Sequence, residues 1–462
     1  MRMFFKIAGV ITVLIVVVLI WALDRVDQSP LHESDYYIKS KARFDSISDG
    51  ISLAKGKVYV GAGKANITPG LNSTDNPEAG VFKEVPLAGF GKRKGAPATG
   101  VHDSLFVKAI AIRVEEKLLV MIGSDILIVP PNISDGVSRV VYEKLGIRRD
   151  QLFFSATHTH SSVGAWGDGI VGESTAGKEN PNVITWLIAQ YSKAIEYAID
   201  DLKPGRIGTG GFNAPEFNRN RLIKENGEKN SEFVYILISQ DEGEKIIIGS
   251  FDAHATTLGA WNLEFSADYP GYWQRKLENE IADMAVFFAG SVGSHSAVSK
   301  GEKFERPRYL GEALADSVIK YSHTVELSDS IGLSHLSVQL DLPEFNVRIS
   351  DDIRVNPNLA DRLFMDVGDV YIQSARIGNL IWITSPCDMS GEMAIVYKNA
   401  MAKDGYKVIV TSFNGSYIGY IVPDKYYHLD NYETRLMSWF GPTMSPFIDE
   451  IILQSMQKLD AL

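Results

Sequence analysis

The chain has 462 residues, 45% of them hydrophobic, so it is long enough to bury a large core. Lys and Arg number 46 against 57 Asp and Glu, for a formal charge of −11. This balance, without long basic runs, argues against a nucleic-acid partner held by phosphate contacts. Cys387 is the only cysteine, so an intramolecular disulfide is excluded.

The N-terminus carries an apolar run from Ile7 to Leu23, preceded by Arg2 and Lys6. The run is at the short end of the length that crosses a bilayer as a helix, and it exceeds a typical signal-peptide core. Because the positive charges precede it, we expect residues 1–25 to be a retained membrane anchor and the rest of the chain to lie outside the cytoplasm. A cleaved signal peptide, which would give a secreted protein, is the alternative.

The sequence predicts two further parts. Residues 26–56 are polar, with Ser29-Pro30 and scattered charges, which predicts a stalk between membrane and folded body. Residues 57–462 form the body, where apolar strand-like runs alternate with amphipathic helical ones. This alternation predicts a single large α/β domain with a mixed sheet layered with helices.

The predicted elements follow in chain order. Strands are expected at Lys108–Val114, Leu118–Ile126, Leu152–Thr157, Ile246–Phe251, Met284–Ala289, Leu380–Thr384 and Lys407–Ser412. Helices are expected at Ser134–Leu145, Asn182–Leu202, Tyr272–Ile281, Tyr309–Tyr321, Gly391–Met401 and Met437–Leu459.

The segment Thr157-His158-Thr159-His160-Ser161 carries the strongest chemical signal. Residues i and i+2 of a strand point the same way, so two imidazoles at the end of an apolar strand favour a metal over a core. His254 also follows an apolar strand, and ligands of α/β sheets gather at the carboxyl ends of strands. These histidines are therefore candidates for one metal site at the strand ends, although each alone is also compatible with a structural role.

Three further strand ends carry polar side chains. The turn from Gly290 to Ser296 contains Ser291, Ser294 and Ser296, which suit nucleophilic or hydrogen-bonding work. Asp388 follows the strand Leu380–Thr384, where a helix N-cap is the alternative role. Tyr420 and Tyr432 follow the strand Lys407–Ser412, although tyrosines in such stretches are usually core or interface residues.

Taken in order, these fragments resemble the neutral/alkaline ceramidase family, zinc amidases that cleave the N-acyl bond of ceramide. The resemblance covers residues 58 to 462, the length of the family's catalytic domain. It implies zinc bound by His158, His254, Asp388 and Tyr420. It also implies catalytic or substrate-contacting roles for His160, Arg219, Ser296 and Tyr432, with Arg219 taken from the pair Asn218-Arg219.

Two positions depart from the family pattern. Gly293-Ser294-His295-Ser296-Ala297 keeps the serine but changes its neighbours, and Pro386-Cys387-Asp388 has an aspartate where the family has a glutamate. The resemblance implies a lipid amide as substrate, and the N-terminal helix predicts the membrane as a partner, which would place the enzyme near such lipids. A hydrolase of other amides or esters on the same scaffold and a non-catalytic lipid-binding relative are the alternatives, and the sequence does not indicate an oligomeric state.

Overall fold

A computed structural model describes residues 2–462, with the side chains of residues 2, 3, 15 and 16 outside the description. Arg2, on which the predicted orientation of the anchor partly depends, is among these. Ten α-helices occur in the described residues. They are α1 (Arg2–Ala22), α2 (Asp35–Ser48), α3 (Pro131–Leu145), α4 (Gly169–Ala176), α5 (Pro181–Asp200), α6 (Asp268–Glu280), α7 (Glu305–Ser322), α8 (Pro357–Leu363), α9 (Gly391–Ala402) and α10 (Met444–Asp460).

The strands divide into long ones and short ribbons. They are β1 (Leu23–Arg25), β2 (Ala54–Asn66), β3 (Gly70–Leu71), β4 (Val81–Phe82), β5 (Gly100–Val101), β6 (Phe106–Val114), β7 (Lys117–Ser124), β8 (Leu152–Ala156), β9 (Lys203–Asn213), β10 (Asn218–Asn220), β11 (Glu232–Gln240), β12 (Lys245–Phe251), β13 (Glu264–Phe265), β14 (Met284–Ala289), β15 (His295–Ala297), β16 (Ser330–Leu340), β17 (Ile353–Val355), β18 (Val370–Ile377), β19 (Leu380–Thr384), β20 (Asp388–Met389), β21 (Lys407–Thr411) and β22 (Tyr420–Ile421).

The long strands form one mixed sheet of 12 strands. Its main path runs β14-β12-β11-β9-β2-β16-β18-β19-β21, and a branch β6-β7-β8 leaves from β2. The pairs β7-β8, β12-β14 and β19-β21 are parallel, whereas the remaining pairs of the sheet are antiparallel. The predicted mixed α/β fold in a single large domain is thereby confirmed.

The sheet folds on itself, so that its two branches enclose an apolar layer. Ile110 and Met121 of the β6-β7-β8 branch share this core with Val286 of β14 and Trp382 of β19. Helices α3 and α5 cover one outer face of the sheet, and α6 and α7 cover another. The carboxyl ends of the parallel strands are thereby held in fixed positions by packing on both sides.

The segment after α1 is attached to the body from its first residues. Strand β1 pairs with β17, and α2 packs on β16 and α10. Phe44 of α2 is buried, and the Tyr37 hydroxyl donates to the Glu450 carboxylate over 2.8 Å. The structure therefore contains a packed helix within residues 26–56, for which the sequence predicts a stalk.

Most predicted elements agree with the structure to within a few residues, but one helix begins much later than expected. The prediction placed it at Met437–Leu459, whereas α10 begins at Met444. Gly441 has φ +98°, a left-handed conformation that an α-helix cannot contain, and Pro442 follows it. Strands β9, β11, β16 and β18, which connect the two halves of the sheet, were not among the predicted elements.

Candidate metal centre and pocket

The carboxyl ends of several parallel strands meet at one place. The Ser412 amide, directly after β21, donates to the Ala289 carbonyl at the end of β14 over 3.1 Å. The Ser155 hydroxyl of β8 donates to the Ser412 carbonyl over 2.7 Å. Polar residues that follow β8, β12 and β14 therefore emerge next to one another, as the strand-end argument predicted.

His158 lies in a turn immediately after β8, in a backbone conformation that is unusual for a non-glycine residue. Its φ is +59°, and its ring stacks on that of Phe413, 4.2 Å away, whose φ is +70°. Such left-handed residues cost free energy and cluster at functional sites. Because β8 ends at Ala156, the alternation of side chains along a strand does not determine where His158 and His160 point, contrary to the prediction. The irregular segment after the strand brings both rings together.

The ring nitrogens of His158 and His254 are fixed by backbone carbonyls. Nδ1 of His158 lies 2.7 Å from the Leu127 carbonyl oxygen, and Nδ1 of His254 lies 3.1 Å from that of Val292. A carbonyl oxygen only accepts, so each Nδ1 carries the proton and each Nε2 presents a lone pair. This second contact orients a metal-binding histidine in the way that such ligands usually require.

The two Nε2 atoms face each other at 2.8 Å, and Nε2 of His160 lies 3.3 Å from that of His158. Burial lowers the pKa of His158 to about 3 and holds those of His160 and His254 well below the usual value. Neutral rings whose lone pairs converge cannot hydrogen-bond to one another. A cation between them satisfies both, so the cluster of His158, His160 and His254 could hold a metal ion.

Asp388 of β20 lies beside the cluster. Its Oδ1 lies 3.6 Å from His158 Nε2 and 3.9 Å from His254 Nδ1, and it is buried without a hydrogen-bond partner among the described residues. Its Oδ2 accepts from the Tyr417 hydroxyl over 2.7 Å, and burial raises the pKa of the carboxyl to about 7. A buried carboxylate oxygen that lies close to the Nε2 lone pair of His158 has the chemistry of a metal ligand.

Tyr420 lies beside Asp388, because β20 and β22 pair with these two residues in register. Burial raises the pKa of the Tyr420 hydroxyl well above its usual value, and the guanidinium of Arg221 lies 3.0 Å from it. Tyr432 packs on the Tyr420 ring at 5.7 Å and is half exposed. The structure thus brings His158, His254 and Asp388 together, and the Tyr420 ring lies 6.4 Å from that of His254.

Arg221 was missed by the sequence analysis, which named Arg219. Arg221 is largely buried; its Nε lies 2.9 Å from a Glu433 carboxylate oxygen, and its Nη2 donates to the Gly293 carbonyl over 2.9 Å. Arg219 is exposed on β10, two residues earlier, and is not brought to the histidines. The available signal was the second Asn-Arg pair, Asn220-Arg221, which repeats Asn218-Arg219.

Ser296 lies on β15, where its backbone pairs with Arg219 on one side and bridges to His254 on the other. It is half-buried, and it is not among the described residues that line the pocket next to the histidines. Ser294 and His295, the preceding residues that depart from the family pattern, are both buried. The Ser294 hydroxyl lies 2.9 Å from His295 Nδ1 and 3.0 Å from the Ser390 hydroxyl.

A pocket with a cavity volume of about 60 Å³ opens on the histidine cluster. One end is polar, with His158, His160, Asp388 and the tyrosines. Its remaining wall is largely apolar and is formed by Leu127, Ile128, Trp166, Val171, Met365, Met437 and Trp439, among others. This combination of an apolar wall with a few convergent polar groups is typical of small-molecule sites.

The fold and the cluster together define an α/β protein with a candidate metal centre at the end of an apolar pocket. Residues 59–304, more than half of the chain, match the family model of the neutral/alkaline non-lysosomal ceramidases, N-terminal part. The chain belongs to this family, and membership implies a hydrolase.

Two solved structures are similar to the chain over most of its length. One is the neutral ceramidase from Pseudomonas aeruginosa, with a TM-score of 0.73 and 17% identity over 88% of this chain and 75% of that one. The other is a ceramidase complexed with C2, with a TM-score of 0.71, 17% identity and the same coverage. At this identity the likeness establishes the fold.

Proposed function

We propose that the chain is a zinc-dependent hydrolase that cleaves the N-acyl amide bond of ceramide or of a similar N-acylated lipid, giving a fatty acid and an amine. The observation that carries the proposal is the convergence of two oriented Nε2 lone pairs, with the buried Asp388 carboxylate 3.6 Å from one of them, at the polar end of an apolar pocket. Family membership supports the same reaction class.

The donor set of His158, His254, Asp388 and Tyr420 suits zinc, which binds nitrogen and oxygen ligands and keeps an open position in catalytic sites. Bound there, zinc would act as a Lewis acid toward the amide carbonyl and would lower the pKa of water to ~7. The shorter side chain of Asp388 replaces the family's glutamate, and its distance of 3.6 Å from His158 Nε2 supports the same role.

The other polar residues have separate proposed tasks. His160, neutral and beside the ligands, would accept the proton released by the attacking water or serine hydroxyl and pass it to the leaving amine. Ser296 either attacks the carbonyl or orients the attacking water. Tyr432, at the mouth, and an arginine stabilise the negative charge that develops on the carbonyl oxygen. We assign that arginine to Arg221 in preference to Arg219, because Arg221 contacts Tyr420 and Glu433.

The apolar wall of the pocket would bind the acyl chain of the substrate. A hydrocarbon chain that leaves water for this wall gains about 0.8 kcal/mol per buried CH₂ group. The scissile amide is then held at the polar end of the pocket, next to the histidines. A lipid amide therefore uses both ends of the pocket.

The first test is hydrolysis of a fluorogenic short-chain ceramide by the purified full-length chain, with and without a chelator. We expect release of the fatty acid that stops with chelator and returns when zinc is added. Hydrolysis of other amides or esters but not of ceramide would favour a hydrolase with a different substrate on the same scaffold. The altered Ser294-His295 pair is the observation that motivates this alternative. Binding of ceramide without any hydrolysis would favour a non-catalytic lipid-binding relative.

A further inference from the structure

The N-terminal helix α1 is joined directly to the folded body, because the residues that follow it pair with β17. Strand β1 pairs with β17, matching Leu23 with Val355 and Arg25 with Ile353. The Asn356 amide donates to the Ala22 carbonyl, the last residue of α1, over 2.8 Å. The point where α1 leaves the body is therefore fixed at β17.

Strand β17 lies at the rim of the pocket that opens on the histidines. On its C-terminal side it runs directly into α8 and then into Met365, which lines the pocket. α8 has 7 residues, so this connection spans only about 10 Å. Helix α4, which supplies Val171 to the same wall, packs against α8.

The N-terminal side of β17 is connected to a second segment that lines the pocket. Arg354 of β17 bridges to Arg348, whose guanidinium donates to the Thr434 carbonyl over 2.7 Å. Thr434 belongs to a one-turn π-helix, Tyr432–Leu436, whose Tyr432 lines the pocket. The exit of the apolar helix is thus connected to two segments that line the pocket.

Large apolar side chains are exposed around this mouth. Ile170 at the start of α4 is 66% exposed, Leu436 is 58% exposed, and Ile349 and Ile353 beside the exit are 55% and 40% exposed. Single exposed apolar residues are ordinary on protein surfaces. Here they surround the mouth of an apolar pocket and the exit of a helix long enough to cross a bilayer, and such grouped exposure marks an interaction surface.

We propose that this rim, defined by Ile170, Ile349, Ile353 and Leu436, rests on the outer leaflet of the membrane that α1 crosses, so that a lipid passes from the leaflet into the pocket without entering water. The proposal rests on the proposed function for the identity of that lipid. Its occupant is a bilayer because the helix that would enter the bilayer is continuous with the rim through β1 and β17.

The test measures depth by fluorescence quenching. Cys387 is the only native cysteine and is buried, so an introduced surface cysteine can be labelled selectively. Ile170→Cys and Leu436→Cys variants of the full-length chain carry the probe at the rim. The proteins are inserted in phosphatidylcholine vesicles that contain lipid with brominated acyl chains, which quench only a probe in contact with the hydrocarbon.

Tyr142→Cys is the matched control, because Tyr142 is 58% exposed, as is Leu436. Helix α3 begins beside the pocket, where Asn132 donates to the Trp166 carbonyl, and runs back along the sheet. Tyr142 lies 11 residues after Pro131, about 16 Å further along that helix and away from the mouth.

We expect strong quenching at both rim positions and little at the control. Equal quenching at all three positions, or none at the rim, overturns the proposal whatever the enzyme hydrolyses. Cross-linking between rim cysteines of two chains, without quenching by lipid, would instead identify the rim as an interface between copies and would also overturn it.

A second variant separates docking from chemistry. Leu436→Asp should lower hydrolysis of ceramide in vesicles about tenfold, while hydrolysis of a short-chain substrate in detergent stays near the parent rate. Quenching at the rim without hydrolysis in either assay would leave the docking surface standing and would contradict the proposed function. An equal loss in both assays would count against direct entry from the leaflet.

Discussion

Nε2 of His158 lies 2.8 Å from Nε2 of His254, and the protonated Nδ1 of each ring donates to a backbone carbonyl. Two lone pairs held this close are unfavourable without a cation. We therefore expect about one zinc per chain in the purified protein. His158→Ala and His254→Ala should each lose the metal on dialysis, as measured by elemental analysis.

His160→Ala is the matched control for this experiment, since its Nε2 is 3.3 Å from that of His158 but its proposed task is proton transfer. It should keep the metal and lose most of the activity, because general acid catalysis contributes roughly 10²–10⁴-fold. Full zinc content in the His158→Ala and His254→Ala proteins would contradict the ligand assignment.

The raised pKa of Asp388 predicts how metal binding depends on pH. Burial puts this pKa at about 7 in the metal-free protein, whereas the histidines are already neutral there. A metal must displace the carboxyl proton below pH 7 but not above it. The Asp388 carboxyl should therefore contribute about 0.9 proton at pH 6 and about 0.1 at pH 8, in addition to any proton released by zinc-bound water, and this contribution should be absent from an Asp388→Asn protein.

Titration calorimetry in buffers of different ionisation enthalpy measures this proton release. The raised pKa of Asp388 also makes the stability of the folded protein depend on pH. A folded-state pKa raised above the unfolded value of 3.8 gives a contribution that is present below pH 3.8 and lost as the pH rises through about 7. Zinc should therefore stabilise the protein more at pH 8 than at pH 6. Equal proton release by the parent and the Asp388→Asn protein at pH 6 would rule out Asp388 as the titrating group.

Arg221 and Arg219 offer a direct comparison between a buried and an exposed arginine of the same segment. Arg221→Lys keeps the charge but cannot make the contacts with Glu433, Gly293 and Tyr420 at the same time. We expect kcat/KM to fall roughly 10²-fold, as for loss of one oxyanion contact, with zinc retained. Arg219→Lys should change the rate less than about twofold. A larger loss for Arg219→Lys than for Arg221→Lys would instead support Arg219, the residue that the sequence suggested.

Site residues could be predicted from the sequence where a local pattern positions them, but not where contacts between distant parts of the chain do. His158, His254 and Asp388 each follow an apolar strand closely, so local patterns place them at strand ends. The folding of the sheet brings those ends together, as the contacts of Ser412 with Ala289 and Ser155 show. Arg221 gave no such signal. Its position depends on contacts with Glu433, 212 positions further along the chain, which no local periodicity contains.

The same distinction applies to the fold. The parallel strands were found because they are continuous apolar runs next to amphipathic helices. The connecting strands β9 and β16 contain Gly, Ser and Thr on their half-buried faces, so their alternation was weak in the sequence. The polar segment after the anchor contains α2 because Phe44 and its neighbours bury one face against β16 and α10, a tertiary effect that composition does not report.

The attachment of α1 predicts how the chain responds to truncation. Deletion of residues 1–22 removes the apolar helix and leaves β1 paired with β17, so we expect a folded, soluble protein with unchanged zinc content. Deletion of residues 1–25 also removes β1 and the Asp24 contact of Arg354, and should lower the free energy of unfolding by about 1–2 kcal/mol more. Urea unfolding measures the difference. Recovery of intact, unprocessed full-length chain in the soluble fraction would argue against the anchor.

The serines of the turn after β14 separate chemistry from structure. Ser296 bridges to His254 on β15, whereas the Ser291 amide donates to buried Asp252 over 3.0 Å and its hydroxyl is buried without a partner. A residue that acts on the transition state lowers turnover and leaves metal and fold intact. Ser296→Ala should therefore cost two or more orders of magnitude in kcat/KM, or ~2.7 kcal/mol, with full zinc content.

Ser291→Ala is the control for Ser296→Ala, and it should cost far less, because removing a hydroxyl without a partner loses no hydrogen bond. Both variants are compared with the parent by the rate of ceramide hydrolysis, zinc content and melting temperature. If Ser296→Ala hydrolyses the substrate at nearly the parent rate, the proposed role of this serine fails. The buried pair Ser294 and His295, in hydrogen-bond contact at 2.9 Å, then becomes the next position to substitute, since it is where this turn departs from the family.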